Sequence, residues 1–313
     1  MKAQTHLGNT IEAVDSLKAR YDKNVKEILS DIQVLARIVK HTVTEVEKLS
    51  IEEIMACIDR ESIRVGTVSI EPGLTNLGKI ESVQTEDSIP NEGYITFDIR
   101  FLLVNSADAI EIIINIEAQR STDFKKLGYH LENRIVYYLA RLISSQKGIN
   151  FKKSEYDKIK KVYSIWICMD TEENGDSIHR ISLKADTLFG KPCEFPQLDK
   201  MCGIVIRIRE KEDATESQNT LVSMLEDVLS TEAADRKKQK LEEKYDMKIT
   251  TELERRLDSM CNLSMAVEEK GIEKGIRSLV DVLKELGTPK EVIIDKIMDK
   301  FSLTKAQAEK FVP

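Results

Sequence analysis

Two neighbouring apolar segments whose polar breaks are acidic constrain this chain most. One runs Tyr94-Ile95-Thr96-Phe97-Asp98-Ile99-Arg100-Phe101-Leu102-Leu103, the other Ile110-Glu111-Ile112-Ile113-Ile114-Asn115-Ile116-Glu117-Ala118-Gln119. Both alternate and are rich in β-branched or aromatic residues, and residues 105–109 supply a turn, so the pair reads as a β-hairpin. Side chains along a strand point to opposite faces with period two. Ile95, Phe97, Ile99, Phe101 and Leu103 then share one face, with Thr96, Asp98 and Arg100 on the other. In the second strand Ile110, Ile112, Ile114 and Ile116 are core-facing, and Asn115, Glu117 and Gln119 lie opposite. Asp98, Glu117 and Gln119 are thereby placed to converge on one side of an apolar sheet. Two carboxylates with one polar partner are a candidate divalent-metal site. An acid on the outer face of a half-buried strand is also an ordinary solubilising residue, and both roles share this spacing.

The 313 residues suggest about two domains and allow a sizeable core. An aromatic content of 5% beside 32% charged residues favours helix-rich surroundings over an all-β sandwich. Cys57, Cys168, Cys193, Cys202 and Cys261 form an odd set without paired short spacing, which argues against a zinc ribbon or disulfide framework and for a reducing compartment. His6, His41, His130 and His179 show no ligand spacing. The first residues carry no apolar signal core, and no stretch has the roughly 18 apolar residues of a membrane span. The expectation is a cytoplasmic protein.

The net charge is −7, unevenly spread. Between Ala118 and Trp166 eleven basic residues face four acidic ones, so this segment is +7 and the remainder −14. A basic block directly after the acidic hairpin can draw a polyanion to it, although a solvated helix face has the same composition.

Residues 10–42 read as one or two helices, with Val25, Ile28, Leu29, Ile32, Leu35, Ile38 and Val39 at helical spacing. Ser50 and Glu53 form a capping-box signature for a further short helix. Residues 63–70 read as a strand, residues 127–145 as a helix with Leu131, Ile135, Tyr138, Leu139 and Leu142 inward, and residues 162–169 as a strand covered on both faces. Residues 178–183 and 203–209 suggest two more strands. The fold class is α/β, a mixed sheet flanked by helices, over residues 1–213, followed by a charged helical arm (214–270) and a small helical unit (271–313). Gly287 fits a helix C′ position, and Thr288-Pro289 and Thr304-Lys305-Ala306-Gln307 carry start signals. Gly271 and Gly275 suit either a close helix approach or a frayed linker.

The ordered set of features resembles the recombination-promoting nuclease (Rpn) or putative transposase family of the PD-(D/E)XK nuclease superfamily. Residues 21–29, Tyr-Asp-Lys-Asn-Val-Lys-Glu-Ile-Leu, look like the family's opening aspartate, apolar residue and lysine on its first helix. Asp22 and Glu27 both match the helical acidic position. Asp98, then Glu117-Ala118-Gln119, look like the catalytic core. Arg134, Tyr137 and Tyr138, with Gly148, Tyr156 and residues 162–165, match the helix-then-strand continuation. Residues 260–264 and 268–275 look like the tail of bacterial members. The resemblance implies a restriction-endonuclease-like core and a Mg²⁺-dependent endodeoxyribonuclease, with Mn²⁺ as a possible substitute. It implies Asp98 and Glu117 as metal ligands, Gln119 as the third catalytic residue, and DNA contacts from Asp22, Lys26, Arg120, Lys125, Lys126, Arg134 and Tyr137. The superfamily commonly has lysine where this chain has Gln119, which removes a charge that would stabilise developing negative charge. Glutamine at that place is familiar in this family.

The chemistry suits these residue types. Phosphodiester hydrolysis needs an activated water and a counter-charge for the phosphate, and a Mg²⁺ ion on two carboxylates supplies both. A nuclease-fold protein with a weakened site, binding nucleic acid without cutting it, is the competing class, and a helical assembly module is a third. Leu221, Met224, Leu225, Val228 and Leu229, and Leu253, Leu257 and Met260, form apolar stripes on the arm. They suggest a homodimer in which the arm contributes to the interface.

Overall fold

The computed structural model describes residues 20–69, 96–119, 122–169, 175–209, 216–301 and 303–312. It divides into two compact units, residues 25–257 and residues 1–24 with 258–313.

From Val25 on, the larger unit opens with an N-terminal helical pattern that is broken once. Helix α1 (described from residue 20 to 29) stops at Ser30, and α2 (Ile32–Thr42) restarts with the Asp31 carboxylate accepting from Gln33 N–H at 2.9 Å. An N-cap of this kind satisfies one of the donors that a helix start leaves unpaired. The apolar stripe continues across the break, with Val25, Ile28, Leu29, Val34, Leu35, Ile38 and Val39 all buried. Helix α3 (Ile51–Cys57) begins with the Ser50–Glu53 capping box.

A six-stranded mixed sheet follows, comprising β1 (Ile58–Ser69), β2 (Thr96–Asn105), β3 (Ile110–Gln119), β4 (Lys161–Cys168), β5 (Ser177–Ser182) and β6 (Met201–Arg207). Their order is β1-β2-β3-β4-β6-β5, with β3, β4 and β6 parallel and the other pairs antiparallel. The parallel step from β3 to β4 requires a crossover. It is made by α4 (Phe124–Leu127), a left-handed Gly128 at φ +77°, and α5 (Leu131–Ser144). Helix α5 puts Leu131, Ile135, Tyr138, Leu139 and Leu142 against Ile113, Val162, Trp166 and Val205 of the sheet. The approach is close enough to require glycine at 203, where a Cβ would come within 2.8 Å of Ile135 Cγ2. Tyr163 points to the opposite face and donates to Glu45 at 2.8 Å, beside α2.

Cover on both faces changes the expected environment of the hairpin. Residues 112–117 of β3 are all buried, so Asn115 and Glu117 lie inside the fold and not on an outer polar face.

The arm also departs from expectation. Helices α6 (Thr220–Leu229) and α7 (Ala234–Tyr245) and the start of α8 (Thr251–Glu285) belong to the larger unit, and α6 packs on α2. Leu221, Met224, Leu225, Val228, Leu253 and Leu257 are buried within this single chain. Gln33 clamps the α7–α8 connection, donating to Lys248 O at 2.7 Å and accepting from Lys248 N–H at 2.9 Å. Asp227 is fully buried between Tyr245 Oη at 2.7 Å and Lys240 Nζ at 3.1 Å.

In the smaller unit the end of α8, α9 (Lys290–Phe301) and α10 (Lys305–Glu309) enclose Ile276, Val280, Ile293, Ile297, Ala308 and Val312. Gly287 adopts φ +71° after α8, and Thr288 N–H reaches back to Leu283 O, a left-handed stop as the sequence suggests. Helix α8 runs unbroken through Gly271 and Gly275, and a Cβ at Gly271 would meet nothing within 4 Å, so close approach does not account for that glycine. Among the described residues no helix is long and apolar enough to cross a membrane.

Candidate active site

The hairpin register pairs Ile99 with Ile116, so Asp98 stands opposite Glu117. Asp98 is near the start of β2 and Glu117 near the end of β3, which puts the pair at the edge where the parallel strands end. In α/β sheets this edge commonly holds ligands. The two acids are interlocked through the backbone. Asp98 N–H donates to Glu117 Oε1 at 3.1 Å, and Ala118 N–H donates to Asp98 Oδ2 at 2.9 Å. Lys26, on α1, reaches the other oxygen of Asp98, Nζ to Oδ1 at 2.5 Å.

Glu117 is 3% exposed. Burial and the adjacent Asp98 push its carboxyl up to about 8, against the Asp98 N–H bond and the Arg134 charge, which lower it. A carboxyl in this state binds a proton at neutral pH unless a cation replaces it.

Arg134, on α5, closes the inner side of the site. It donates to Tyr138 Oη at 2.8 Å, Tyr129 Oη at 2.9 Å and Gln119 Oε1 at 3.3 Å. Its guanidinium lies 5.2 Å from the Trp166 ring centre and 5.0 Å from that of Tyr138, both within cation–π range. Tyr138 is raised to about 12 by burial and by Glu117, with Arg134 opposing. Trp166 is fully buried, as its apolar run suggests, and donates to Ser164 Oγ at 2.9 Å.

The structure thus brings Asp98, Glu117, Gln119, Lys26 and Arg134 into one chain of contacts. Lys26, expected as a DNA contact, stands here as the counter-ion of Asp98. Tyr137 is a correction: it is 43% exposed, and the bracing tyrosine is its neighbour Tyr138. The period of α5 marks Tyr138 as inward, but the same signal describes plain core packing. Asp22 is partly buried on α1 in the smaller unit. Lys125 and Lys126 are exposed on α4, just after β3. Arg120 lies outside the described residues.

The basic segment is not one patch, a further correction. Helix α5 carries the chain back across the sheet, so Lys158, Lys160 and Lys161 lie at the opposite edge. They border an open groove of about 780 Å³ lined also by Glu45, Glu111 and Asp199. Lys160 pairs with Glu111 at 2.5 Å, and Lys161 with Glu45 at 2.7 Å and with Asp199. Of the described basic residues in this segment, Arg134 is tied to the acidic pair through Gln119 and the charge of Glu117, and Lys125 and Lys126 follow β3 on exposed α4.

Among the described residues no group of three or more His, Cys, Asp and Glu side chains is arranged to hold a metal. The Asp98–Glu117 pair nonetheless suits Mg²⁺, which is usually held by one or two carboxylates with water and substrate oxygens completing its shell. A divalent cation there would also relieve the burial and like-charge strain on Glu117. In the comparisons with known proteins, no family model, no curated protein and no solved structure matches this chain.

Proposed function

We propose that this chain is a metal-dependent DNA endonuclease with a PD-(D/E)XK-type core, of the recombination-promoting nuclease or transposase kind. The observation that carries the reading is the pairing of buried Glu117 with partly buried Asp98, crossed by their own backbone bonds, with Lys26 on one carboxylate at 2.5 Å. An acidic pair this costly to bury is expected where a cation is to be bound.

Asp98 and Glu117 would hold the metal. Bound there, Mg²⁺ lowers the pKa of a coordinated water and neutralises phosphate charge. The chain's own groups supply the rest. Lys26 brings a positive charge to the acidic pair, the service that lysine in place of Gln119 would give. Gln119, its Oε1 held by Arg134, can orient a water but cannot serve as a conventional base. Arg134 fixes Gln119 against the aromatic wall, and Lys125 and Lys126 would contact flanking phosphates. Supercoiled plasmid incubated with the protein and Mg²⁺ should be nicked or linearised, and EDTA should stop it. Glu117→Ala cleaving as fast as wild type would sink the assignment.

One observation favours a second reading, a nuclease fold that binds without cutting. Both oxygens of Asp98 and one of Glu117 already have donors, so metal entry must displace or share Lys26. Calorimetric titration with Mn²⁺ separates the readings: heat that Asp98→Ala abolishes supports the enzyme, and no heat supports the binder.

A further inference from the structure

We infer that Arg100, with Arg64 beside it, forms an anion subsite next to Asp98 that takes a phosphodiester group of a bound DNA strand. The subsite rests on the nuclease-type reading for the identity of the strand, but its geometry stands independently. Arg100 follows Asp98 by two residues on β2, so both side chains leave the same face about 7 Å apart. Its register partner on β1 is Arg64, and on β3 Asn115.

Like charges directly opposite each other in a sheet are unfavourable, and a partly buried cation without an anion adds to that. Arg100 is partly buried, yet among the described residues no carboxylate or carbonyl pairs with its side chain. Nor does it serve its neighbour Asn115, whose buried Oδ1 has no partner among the described residues. Arg64 is exposed and turns one nitrogen back onto the carbonyls of Glu61 at 2.6 Å and Ile63 at 3.0 Å. Its other nitrogens make no such bond among the described residues. The missing component is anionic. A guanidinium fork matches two phosphate oxygens, and a phosphate one step along the strand from the acidic pair would neutralise both arginines.

The test is fluorescence anisotropy of a labelled 20-mer duplex on full-length protein in EDTA, across a salt series, so that cleavage plays no part. One lost phosphate contact flattens the salt slope by about 0.9, equivalent to about eightfold in affinity near 0.1 M salt. Arg100→Gln should show both changes with no fall in melting temperature, since it removes an unpaired cation. Exposed Arg64→Gln should weaken binding in the same direction, keeping the test open if Arg100→Gln folds poorly. Wild-type affinity and slope in both variants would overturn the subsite. Inorganic phosphate serves as the second probe: if it stabilises wild type but not Arg100→Gln while the duplex fails to bind, the ligand is a free anion and the strand assignment falls. A plasmid left uncut beside a weakened Arg100→Gln complex would defeat the nuclease reading and leave the subsite standing.

Discussion

Lys26 Nζ and Asp98 Oδ1, on a helix and a strand far apart in sequence, meet at 2.5 Å. This ion pair brings a lysine to the acidic pair from α1, while β3 contributes the neutral Gln119.

Replacing Lys26 should therefore affect stability and chemistry together. The pair is partly buried, so Lys26→Met should cost about 1–2 kcal/mol, below the penalty for breaking a fully buried pair. On the nuclease reading, cleavage should fall about 100-fold, the scale for losing one group that stabilises transition-state charge. Lys26→Arg should recover part of both. Denaturant melts and plasmid-nicking rates provide the check, and unchanged cleavage in Lys26→Met would remove Lys26 from the chemistry.

Glu117 gives a pH signature. Its folded-state pKa is raised, so the native protein holds a proton that the unfolded chain has released. Its contribution to stability is full below the ordinary carboxyl value near 4.5 and is lost as pH rises through about 8. Metal-free protein should lose stability across that window, and Glu117→Gln should flatten the loss. Urea midpoints at pH 5, 7 and 9 test this, and parallel pH profiles for the two proteins would refute it. On the nuclease reading, metal binding near pH 7 should release protons.

The hairpin was legible because strand periodicity and a turn fix which residues share a face, and the observed register follows from them. The apolar face of α5 and the covered strand β4 were legible for the same reason. What period two cannot tell is whether the second face meets solvent. Glu117 reads as an outer residue until the crossover through α5 buries that face. Lys26 reads only as a DNA contact in the sequence because its pairing with Asp98 joins residues far apart along the chain, and Arg100 reads only as a polar break in β2. The basic run misled because charge counted along the chain ignores the return of α5 to the far edge.

Two adjacent tyrosines should behave differently. Tyr138→Phe removes the acceptor of a partly buried Arg134 bond and should cost about 1–2 kcal/mol. Tyr137→Phe, on an exposed side chain, should stay within about 0.5 kcal/mol of wild type. Thermal melts of the two single variants decide it, and equal losses would mean that Arg134 takes no support from Tyr138.

Gly203 should not tolerate a methyl group. A Cβ there would press within 2.8 Å of Ile135 Cγ2 and 3.4 Å of Ile181 Cβ. Gly203→Ala should destabilise by about 1–3 kcal/mol, the usual cost of overpacking. Adding Ile135→Val to it should cost less than the sum of the single changes. Strict additivity would show that α5 does not lie on Gly203.

The arm's apolar residues bear on what any dimer is built from. Leu221, Met224, Leu225 and Val228 are buried in the larger unit, and Gln33 and Arg37 donate to Lys248 O and Tyr245 O, both at 2.7 Å. A chain ending at Lys211 would strip α6 and α7 from that unit, exposing the α2 surface and removing the partners of these side chains. Such a chain should lose cooperative melting and aggregate, not behave as a tidy monomer. Circular dichroism melts with light scattering on full-length and shortened protein provide the test. A shortened chain that melts cooperatively at the full-length temperature would show that the arm is no part of the core, and would return its stripes to the service of assembly.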